Sequence, residues 1–497
     1  MLFFLLFACS KEPNLYKVEP VSECRTQASS YGQLPSYFQR GEFTQPISEG
    51  KTGVYLLEDG AGSLAIRAWL AEQATKTIDV QYFIYSADNV GLISTAVLVE
   101  AAERGVKVRI LVDDILAYGD ADLLSIINEH DNVEVRIYNP NINIGKNIVQ
   151  KVSATFSDFE EINQRMHNKT YIVDRSVSIT GGRNLGDEYF DFNSDYNFRD
   201  RDVALLGGAT NAVQDSFDHF WDDPHAVNIS SLLETSSSDH VSLTLQKLLN
   251  YPCHPENYDP NFRKRVDAVF ETFRDEKDRK LQWVDDIQFI SDAPGKNETE
   301  GLKGGGLTTQ ALIELVDEAQ KRLWIQTPYL VLSELGLSVF QKAEERGVDV
   351  KILTNSLAST DNYPAFAGYI KIRDELKNIG VEVYEMKPYA PDVMSLNTSG
   401  IPDTMDAKVG LHSKSLLIDN HISMIGSFNL DPRSANLNTE CIVIVRDENI
   451  TKEMAGYFER EMSEQNAWPS DPKNEKEAPL KDRILTWFSR LFPEEIL

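Results

Sequence analysis

Apolar residues along the chain fall into two patterns, short strand-like runs and longer stretches with helical spacing. In the first half, TIDVQYFIY and VEVRIYNP lie on either side of LISTAVLVEAAERG, whose apolar residues recur at helical intervals. In the second half, LWIQTPYLV and VEVYEMKP lie on either side of LSVFQKAEERG. Gly105 and Gly347 end the helical stretches, as expected of the residue after a helix. Strands alternating with helices predict an α/β fold, with a mixed β-sheet flanked by helices in each half.

The two halves repeat one another. AERGVKVRIL at 102–111 returns as EERGVDVKIL at 344–353, an offset of 242 residues. A fixed offset predicts two similar lobes related by pseudo-twofold symmetry, whose equivalent residues can meet at the interface. The predicted units are an N-terminal segment, lobe 1, a linker or insertion rich in charge and turns, lobe 2 and a C-terminal tail: 10–48, 49–225, 226–300, 301–465 and 466–497.

Both ends of the chain carry apolar segments. Residues 1–9, MLFFLLFAC, resemble a bacterial lipobox, which predicts a lipoprotein signal and lipidation at Cys9. The run is short and lacks a basic region, so an unprocessed hydrophobic N-terminus is the alternative. RILTWFSRLFPEEIL in the tail predicts an amphipathic helix that lies on a membrane interface or covers its own domain. We expect an envelope lipoprotein anchored at the outer membrane or in the periplasm, with a peripheral membrane protein as the alternative.

The charge balance narrows the range of partners. The chain has 49 basic and 77 acidic residues, which gives a formal net charge of −28. Such a surface repels polyanions, so no nucleic-acid partner is expected. The remaining cysteines have no zinc-like spacing. Cys24 and Cys253 could form a disulfide bond in an exported protein, whereas Cys441 lies in an apolar run and is predicted to be a buried thiol.

Each lobe contains the same polar motif. The members are His167, Lys169, Asp174 and Asn184 in lobe 1, and His412, Lys414, Asp419 and Asn429 in lobe 2. In each copy the histidine and the lysine are two residues apart, so on a strand they project from the same face. The aspartate lies five residues beyond the lysine, an odd offset that points it away from the site. We therefore expect the aspartates to have a supporting role, such as anchoring a turn.

These residue types suit phosphodiester chemistry. One histidine can act as nucleophile or base while the other acts as acid, since the pKa of imidazole is close to neutrality. The lysines, together with Asn184 and Asn429, can bind phosphate oxygens, and nothing in the motif requires a metal or a cofactor. Each imidazole also needs an orienting partner, for which we assign Asp202 to His167 and Glu440 to His412. Ordinary surface carboxylates are the alternative for this last pair.

The two motifs resemble the paired HKD motifs, HxKxxxxD followed by GGxN or GSxN, of the phospholipase D superfamily. The resemblance covers roughly residues 50 to 465. It implies two α/β lobes and a metal-independent reaction through a covalent phosphohistidine. Carried onto this chain, it implies six catalytic residues: His167, Lys169, Asp174, His412, Lys414 and Asp419.

The flanking sequences narrow the resemblance. GGRNLGDEYFDF and GSFNLDPRSANLNTE, among others, are similar to bacterial cardiolipin synthases of type C. That similarity implies transfer of a phosphatidyl group to phosphatidylglycerol, with His167 as nucleophile and His412 as acid and then base. Phospholipids and a membrane surface are the partners that it implies. A hydrolytic phospholipase D is the alternative, followed by a phosphodiesterase or nuclease, and the oligomeric state is left open.

Overall fold

The structure is a computed structural model. It describes residues 41–114, 121–140, 164–233, 236–254, 257, 281–296, 305–396 and 406–490. The predicted lipidation site Cys9, the predicted signal and most of the N-terminal segment lie outside these residues. Cys24 also lies outside them. Cys253 is disulfide-bonded, and Cys441 is a free, buried thiol, as predicted.

Within the described residues, lobe 1 is built on a nine-stranded mixed sheet. The sheet order is β10-β1-β8-β6-β5-β2-β3-β4-β9. Strands β2, β3 and β4 run parallel, and the other pairs are antiparallel. Its strands are β1 Thr52–Leu57, β2 Thr77–Tyr82, β3 Lys107–Asp113, β4 Val133–Tyr138, β5 Thr170–Val173, β6 Val177–Gly181, β8 Asp202–Gly207, β9 Ala226–Asn228 and β10 Gln282–Val284.

Lobe 2 repeats this arrangement in an eight-stranded sheet of the described chain, ordered β11-β18-β17-β16-β12-β13-β14-β19. Its strands are β11 Ile287–Ser291, β12 Arg322–Gln326, β13 Asp349–Asn355, β14 Glu382–Met386, β16 Lys414–Ile418, β17 Ile422–Gly426, β18 Cys441–Arg446 and β19 Ala467–Pro469. Strands β12, β13 and β14 run parallel, like their equivalents β2, β3 and β4 in lobe 1. Eight strands therefore follow the same order in both lobes, and the predicted fold class is confirmed.

Helices cover both sheets. Asp88 caps one of the repeated helices by accepting from the backbone of Gly91, and Ser333 caps its counterpart. Gly105 and Gly347 follow these helices with φ of 94° and 83°, a left-handed conformation that favours glycine. The helices are α1 Gly41–Ser48, α2 Gly60–Gln73, α3 Asn89–Glu103, α4 Ala121–Ile127, α5 Gly208–Trp221, α6 Ser238–Asn250, α7 Leu307–Glu318, α8 Glu334–Glu345, α9 Tyr363–Asn378, α10 Pro391–Met394, α11 Pro432–Asn436, α12 Glu448–Glu461 and α13 Leu480–Ser489.

The segment expected to be a linker or insertion contributes to both lobes. Strand β9 completes one edge of the first sheet, and β10 extends the other. Two residues after β10 the chain enters β11, which pairs with β18 in the second sheet. Strand β19, from the predicted tail, pairs with β14. The strands β9, β11 and β19 thus complete lobes from positions outside the predicted boundaries 49–225 and 301–465.

Alternate residues of the strands face different cores. Val108 and Ile110 pack under the outer helices of lobe 1, whereas Leu111 points into a central core. That central core also contains Leu353 of β13 and Phe458 of α12, so it is shared by both lobes. The lobes are held together by a common apolar layer, at whose edge the polar motifs meet.

A short parallel ladder adds a second link between the lobes. Strand β7, Tyr196–Arg199, from lobe 1 pairs with β15, Lys408–Leu411, from lobe 2. The residue after β15 is the motif histidine His412, and the residue after β7 is Asp200, which contacts that histidine. No helix in the described part of the chain has both the length and the apolar character needed to cross a bilayer.

Candidate active site

The backbone around each histidine is hydrogen-bonded to the opposite lobe. The amide of His167 donates to the carbonyl of Thr439 at 3.0 Å. The amide of His412 donates to the carbonyl of Arg199 at 2.8 Å. Because the same contact is made twice with the lobes exchanged, the two motifs are brought together around a pseudo-twofold axis.

The orienting carboxylates come from the opposite lobes, and the predicted assignment is wrong in two respects. Nδ1 of His167 lies 2.8 Å from Oε2 and 3.0 Å from Oε1 of Glu440. Nδ1 of His412 lies 2.5 Å from Oδ2 of Asp200. Glu440 therefore orients His167 and not His412. Asp200, which the sequence analysis did not single out, orients His412, and Asp202, the predicted partner of His167, contacts neither imidazole in the structure.

The strand register explains this correction. Gly181 pairs with Asp202 in lobe 1, and Gly426 pairs with Ile442 in lobe 2. Two residues before these positions lie Asp200 and Glu440, which are therefore equivalent. The apolar runs begin directly after Asp202 and Glu440, so aligning these runs matches the wrong pair, and only the strand register matches Asp200 with Glu440. The distance from each histidine also differs, because the intervening loops differ in length.

Asp202 has a structural role within lobe 1. Its carboxylate accepts a hydrogen bond of 2.8 Å from the guanidinium of Arg67, and Arg183 lies 3.5 Å away. All three side chains are buried. Arg183 donates to the backbone carbonyls of Leu57, Glu58 and Asp200. The guanidinium of Arg183 therefore links the backbone at the end of β1 to the backbone before β8.

The two lysines project into the site, as the strand periodicity predicts. Nζ of Lys169 donates to the carbonyl of His167 at 2.6 Å, and Nζ of Lys414 lies 2.9 Å from Nδ1 of His412. Burial lowers the pKa of Lys169 to about 7 and that of Lys414 to about 8, although Glu440 and Asp200 oppose the shift. Two buried ammonium groups next to the histidines can neutralise a phosphate that enters between them.

The histidines are neutral in the free site. Burial and the charges of Lys169 and Lys414 hold the pKa of His167 well below its ordinary value of 6.5. Burial and Lys414 lower the pKa of His412 to about 3, despite the opposing effect of Asp200. Each histidine thus senses the lysine of the opposite lobe, which places both motifs in one electrostatic environment.

The two orienting carboxylates differ from each other. Burial raises the pKa of Glu440 to about 7, although Lys169 opposes the shift. Burial would also raise the pKa of Asp200, but His412 and Lys414 lower it below its ordinary value. The ionised form is therefore favoured at Asp200 beside His412 and disfavoured at Glu440 beside His167. The near-symmetric sequence motifs give no sign of this difference.

Gly182 and Ser427 occupy matching positions in the two motifs, and each contacts the orienting carboxylate of its own lobe. A Cβ at Gly182 would lie 2.1 Å from Oδ1 of Asp200, so a side chain there would displace the carboxylate. At the matching place in lobe 2, Oγ of Ser427 donates to Oε2 of Glu440 at 2.5 Å. The GG and GS variants of the motif therefore reflect how each lobe holds its partner carboxylate.

The predicted phosphate-binding asparagines are both buried in the site. Oδ1 of Asn184 accepts from the backbone amide of Ile84 at 3.1 Å, and the side-chain amide of Asn184 is hydrogen-bonded to Tyr189 beside His412. Oδ1 of Asn429 is buried and has no hydrogen-bond partner in the described part of the chain. A buried polar atom of this kind is costly unless a ligand or water satisfies it.

The motif aspartates lie at the far ends of their strands, away from the histidines. Asp174 accepts from the backbone amides of Lys76 and Thr77 at 2.7 and 2.9 Å. Asp419 accepts from those of Lys321 and Arg322 at 2.8 and 3.0 Å. Each aspartate has a left-handed φ of 51°. The geometry agrees with turn anchoring, so we treat the aspartates as supporting residues and not as members of the reacting group.

Aromatic rings that the sequence analysis did not identify line the site. The ring of Phe83 meets His167 edge-on at 4.9 Å between centroids and also lies under Nζ of Lys169. Tyr189 and Phe198 contact His412 at 5.2 and 4.8 Å. These rings exclude water from the imidazoles, which strengthens electrostatic interactions in the site.

The two sides of the site differ in charge. Arg433 lies close enough to His167 to lower its pKa further. On the other side, Glu188 is next to Tyr189, and burial together with Asp88 raises the pKa of Glu188 to about 7. Asp361 accepts from Tyr329 at 2.8 Å and senses Lys414. The His167 side is therefore basic, and the His412 side carries carboxyl groups.

The donor set around the histidines suits a phosphate ester. Buried lysines, asparagine amides and an arginine are anion donors and do not bind cations. Across the described ranges, no group of three or more His, Cys, Asp or Glu side chains is placed to hold a metal ion.

Comparison with known proteins identifies relatives over most of the chain. The family model described as "Cardiolipin synthase, PLD-like domain" matches residues 70–221 and, again, 312–462. Cardiolipin synthase C of Escherichia coli is 33% identical over 404 residues, which is 81% of this chain and 83% of that protein. An uncharacterized protein of Helicobacter pylori is 32% identical over 398 residues, or 80% of this chain and 76% of the relative.

More distant similarities agree with this result. Cardiolipin synthase 1 of Bacillus cereus is 26% identical over 454 residues, covering 89% of this chain and 72% of that one. The crystal structure of phosphatidylserine synthase from Haemophilus influenzae has a TM-score of 0.56 at 14% identity, over 90% of this chain and 97% of that one. At this identity the structural similarity shows a shared fold. The predicted resemblance to the phospholipase D superfamily is confirmed.

Proposed function

Because the chain belongs to the PLD-like cardiolipin synthase family of the phospholipase D superfamily, we propose that it transfers a phosphatidyl group to phosphatidylglycerol through a phosphohistidine. Its relatives make it an enzyme, a phosphatidyltransferase. The observation that carries the finer proposal is the pair of buried imidazoles, each with Nδ1 held by a carboxylate from the opposite lobe. With Nδ1 engaged, Nε2 is the nitrogen that reacts.

The difference between the carboxylates supports assigning distinct roles to the histidines. Glu440 has a raised pKa, so His167 carries little positive charge, and neutral imidazole is the nucleophilic form. Asp200 has a lowered pKa and stabilises an imidazolium at His412. An anionic phosphodiester that enters the site raises the pKa of both imidazoles. His412 can then hold the proton that the leaving headgroup needs.

The proposed reaction has two steps. In the first, Nε2 of His167 attacks phosphorus, the P–O bond to the donor headgroup breaks, and His412 gives its proton to the leaving oxygen. In the second, His412 takes the proton of a phosphatidylglycerol hydroxyl, whose oxygen attacks phosphorus and breaks the P–N bond. Lys169 and Lys414 stabilise the charge on the phosphoryl oxygens in both steps. Water in place of the acceptor would give hydrolysis, which is the alternative function.

We also propose that the enzyme is located at the cell envelope. Lipidation at Cys9 would tether the chain to the envelope, close to its lipid substrates. The disulfide bond of Cys253 is consistent with an oxidising compartment. A peripheral membrane association without lipidation is the alternative, and the acidic balance argues against a nuclease.

The test is incubation of the purified protein with phosphatidylglycerol, with and without phosphatidylethanolamine, and product analysis by mass spectrometry. We expect cardiolipin from the parent, none from His167→Ala, and unchanged yield from His219→Ala, an exposed histidine on α5. A requirement for phosphatidylethanolamine would identify the donor. Phosphatidic acid alone would support hydrolysis instead. A reaction quenched with denaturant at alkaline pH, where the P–N bond survives, should carry the phosphatidyl mass on the peptide that contains His167, and its absence would contradict the phosphohistidine.

A further inference from the structure

Helix α13 packs on the protein with its polar face inward and its apolar face outward. It packs against α9 with a polar face made of Asp482, Thr486 and Ser489, all buried. The hydroxyls of Thr486 and Ser489 donate to carbonyls within the same helix, at 2.8 and 2.9 Å. Because both hydroxyls are satisfied within the helix, they can face the protein at little cost. Oδ1 of the buried Asp482 has no hydrogen-bond partner among the described residues.

The apolar face of the same helix points away from the protein. Its members are Leu480, Ile484, Trp487 and Phe488, and all four are exposed. Trp487 is 61% exposed and Phe488 52% exposed, with their rings in edge-on contact at 4.9 Å. An amphipathic helix that serves only to cover its own domain would bury these residues and expose the polar ones. The observed orientation therefore requires an external apolar partner.

The charges around this face indicate what that partner is. Lys481, Arg483 and Arg490 are exposed, and the one acidic residue of the helix, Asp482, is turned inward. This is a locally basic surface on a chain with a net charge of −28. Aromatic and aliphatic side chains edged by basic residues are typical of helices that lie in the headgroup region of an anionic bilayer.

The helix is also connected to the mouth of the active site. The side chain of Asp482 is within hydrogen-bonding reach of Tyr363, the first residue of α9. Two residues before Tyr363 lies Asp361, whose carboxylate senses Lys414 in the site. The contact with Tyr363 thus joins α13 to the chain segment that carries Asp361, a carboxyl group on the His412 side of the site.

We propose that α13 is an interfacial helix whose exposed face, Leu480, Ile484, Trp487 and Phe488, enters an anionic phospholipid bilayer and places the active-site mouth on the membrane surface. This proposal rests on the proposed function in one respect, that the substrates are bilayer lipids. It provides a membrane contact that is separate from any lipid at Cys9.

The test measures binding to vesicles of phosphatidylglycerol and phosphatidylcholine, and to phosphatidylcholine alone, by co-sedimentation. All variants are full-length and carry Cys9→Ala, so that a lipid anchor makes no contribution. The double variant Trp487→Ser and Phe488→Ser should bind mixed vesicles at least ~10-fold more weakly than the parent, since it loses two interfacial aromatic side chains. Leu243→Ser, at an exposed leucine on α6 of lobe 1, should bind like the parent.

Two further variants report on the helix directly. Arg483→Gln should weaken binding by about fivefold on the mixed vesicles and leave binding to phosphatidylcholine unchanged. Trp487→Phe should bind normally but lose most of the vesicle-induced fluorescence change, because Trp487 is the most exposed of the six tryptophans. This conservative variant keeps the test meaningful should the double variant fold poorly.

Equal vesicle binding by the parent and the double variant would overturn the proposal, as would an equal loss in Leu243→Ser. An unchanged fluorescence response in Trp487→Phe would do the same. The binding assay is independent of turnover, so a parent that binds vesicles but makes no cardiolipin would contradict the proposed function alone. In detergent-mixed micelles, where no bilayer must be engaged, the double variant should transfer phosphatidyl groups at the parent rate.

Discussion

Individual residues in this site are specialised by their surroundings more than by their type. Lys169 and Lys414 occupy matching positions, as do Glu440 and Asp200, yet the two carboxylates have pKa values shifted in opposite directions. Burial raises the pKa of Glu440 even though the hydrogen bond from Ser427 opposes that shift. At Asp200, His412 and Lys414 outweigh burial and lower the pKa. Two copies of one motif can in this way supply a nucleophile and an acid.

The first prediction distinguishes Asp200 from Asp202, two residues away. Asp200→Asn should lower kcat by on the order of 10²- to 10⁴-fold, because the amide no longer favours the imidazolium of His412. It should also lower stability, since the buried Lys414 loses a counter-charge. Asp202→Asn should lower stability but leave kcat unchanged. It leaves Arg67 without its buried carboxylate and should cost about 3–5 kcal/mol in the free energy of unfolding, while the enzyme that remains folded turns over normally.

Steady-state kinetics and urea unfolding on the same two proteins measure both quantities. Glu440→Gln serves as the matched variant at His167 and should behave like Asp200→Asn. A large kcat loss in Asp202→Asn with unchanged stability would restore Asp202 as the orienting residue.

At the scale of elements, each motif strand is fixed at both ends. Strand β5 follows the motif residues His167 and Lys169 at one end, and Asp174 at the other end ties the strand to the turn before β2. The same arrangement joins the end of β16 to the start of β12 through Asp419. The carboxylates therefore set the position of the catalytic strands from a distance, by satisfying turn amides that would otherwise lack partners.

The second prediction concerns this turn. Asp174→Ala removes several hydrogen bonds and places alanine at a left-handed φ, so the free energy of unfolding should fall by about 1–3 kcal/mol. The value of kcat should stay close to that of the parent. Asp174→Asn, which keeps an acceptor oxygen and tolerates this φ, should lose less stability. Urea unfolding with parallel activity assays checks this, and a large loss of kcat at parental stability would instead make Asp174 part of the reacting group.

At the scale of the whole molecule, a buried ionic network joins the lobes beneath the site. Arg201 donates to Glu58 at 2.6 Å within lobe 1 and to Gln326 of lobe 2 at 2.7 Å. Arg199 contacts Glu58 and also Glu461 of lobe 2, the latter at 2.7 Å. Since all of these side chains are buried, the removal of one charge leaves its partners without compensation.

The third prediction follows from Glu58. Burial would raise its pKa, but Arg201 and Arg199 lower it from 4.5 to about 2. A carboxylate with a lowered pKa stabilises the fold above its unfolded-state pKa, and that stabilisation is lost as the pH falls through the folded-state value. The stability of the parent should therefore decline between pH 4.5 and about 2.

Glu58→Gln should be less stable at neutral pH by about 3–5 kcal/mol and should show a shallower decline over the acid range. Thermal unfolding from neutral to acid pH gives both values. Glu129→Gln, at an exposed position on the surface of lobe 1, should follow the parent curve. A parental acid decline in Glu58→Gln would contradict the role of this network.

The sequence by itself determined the two lobes, the mixed sheets and the residues that share a face with each histidine. These features depend on local periodicity, and they recur in the second half of the chain at an offset of 242 residues. The odd offset of five residues from each motif lysine to its aspartate also indicated that Asp174 and Asp419 point away from the site.

Only the tertiary structure decided which carboxylate holds which histidine, because His167 and Glu440 are 273 residues apart and meet through lobe packing. The same applies to the aromatic rings beside the imidazoles. It also applies to the orientation of α13, since an amphipathic pattern defines two faces of a helix but not which of them the protein buries.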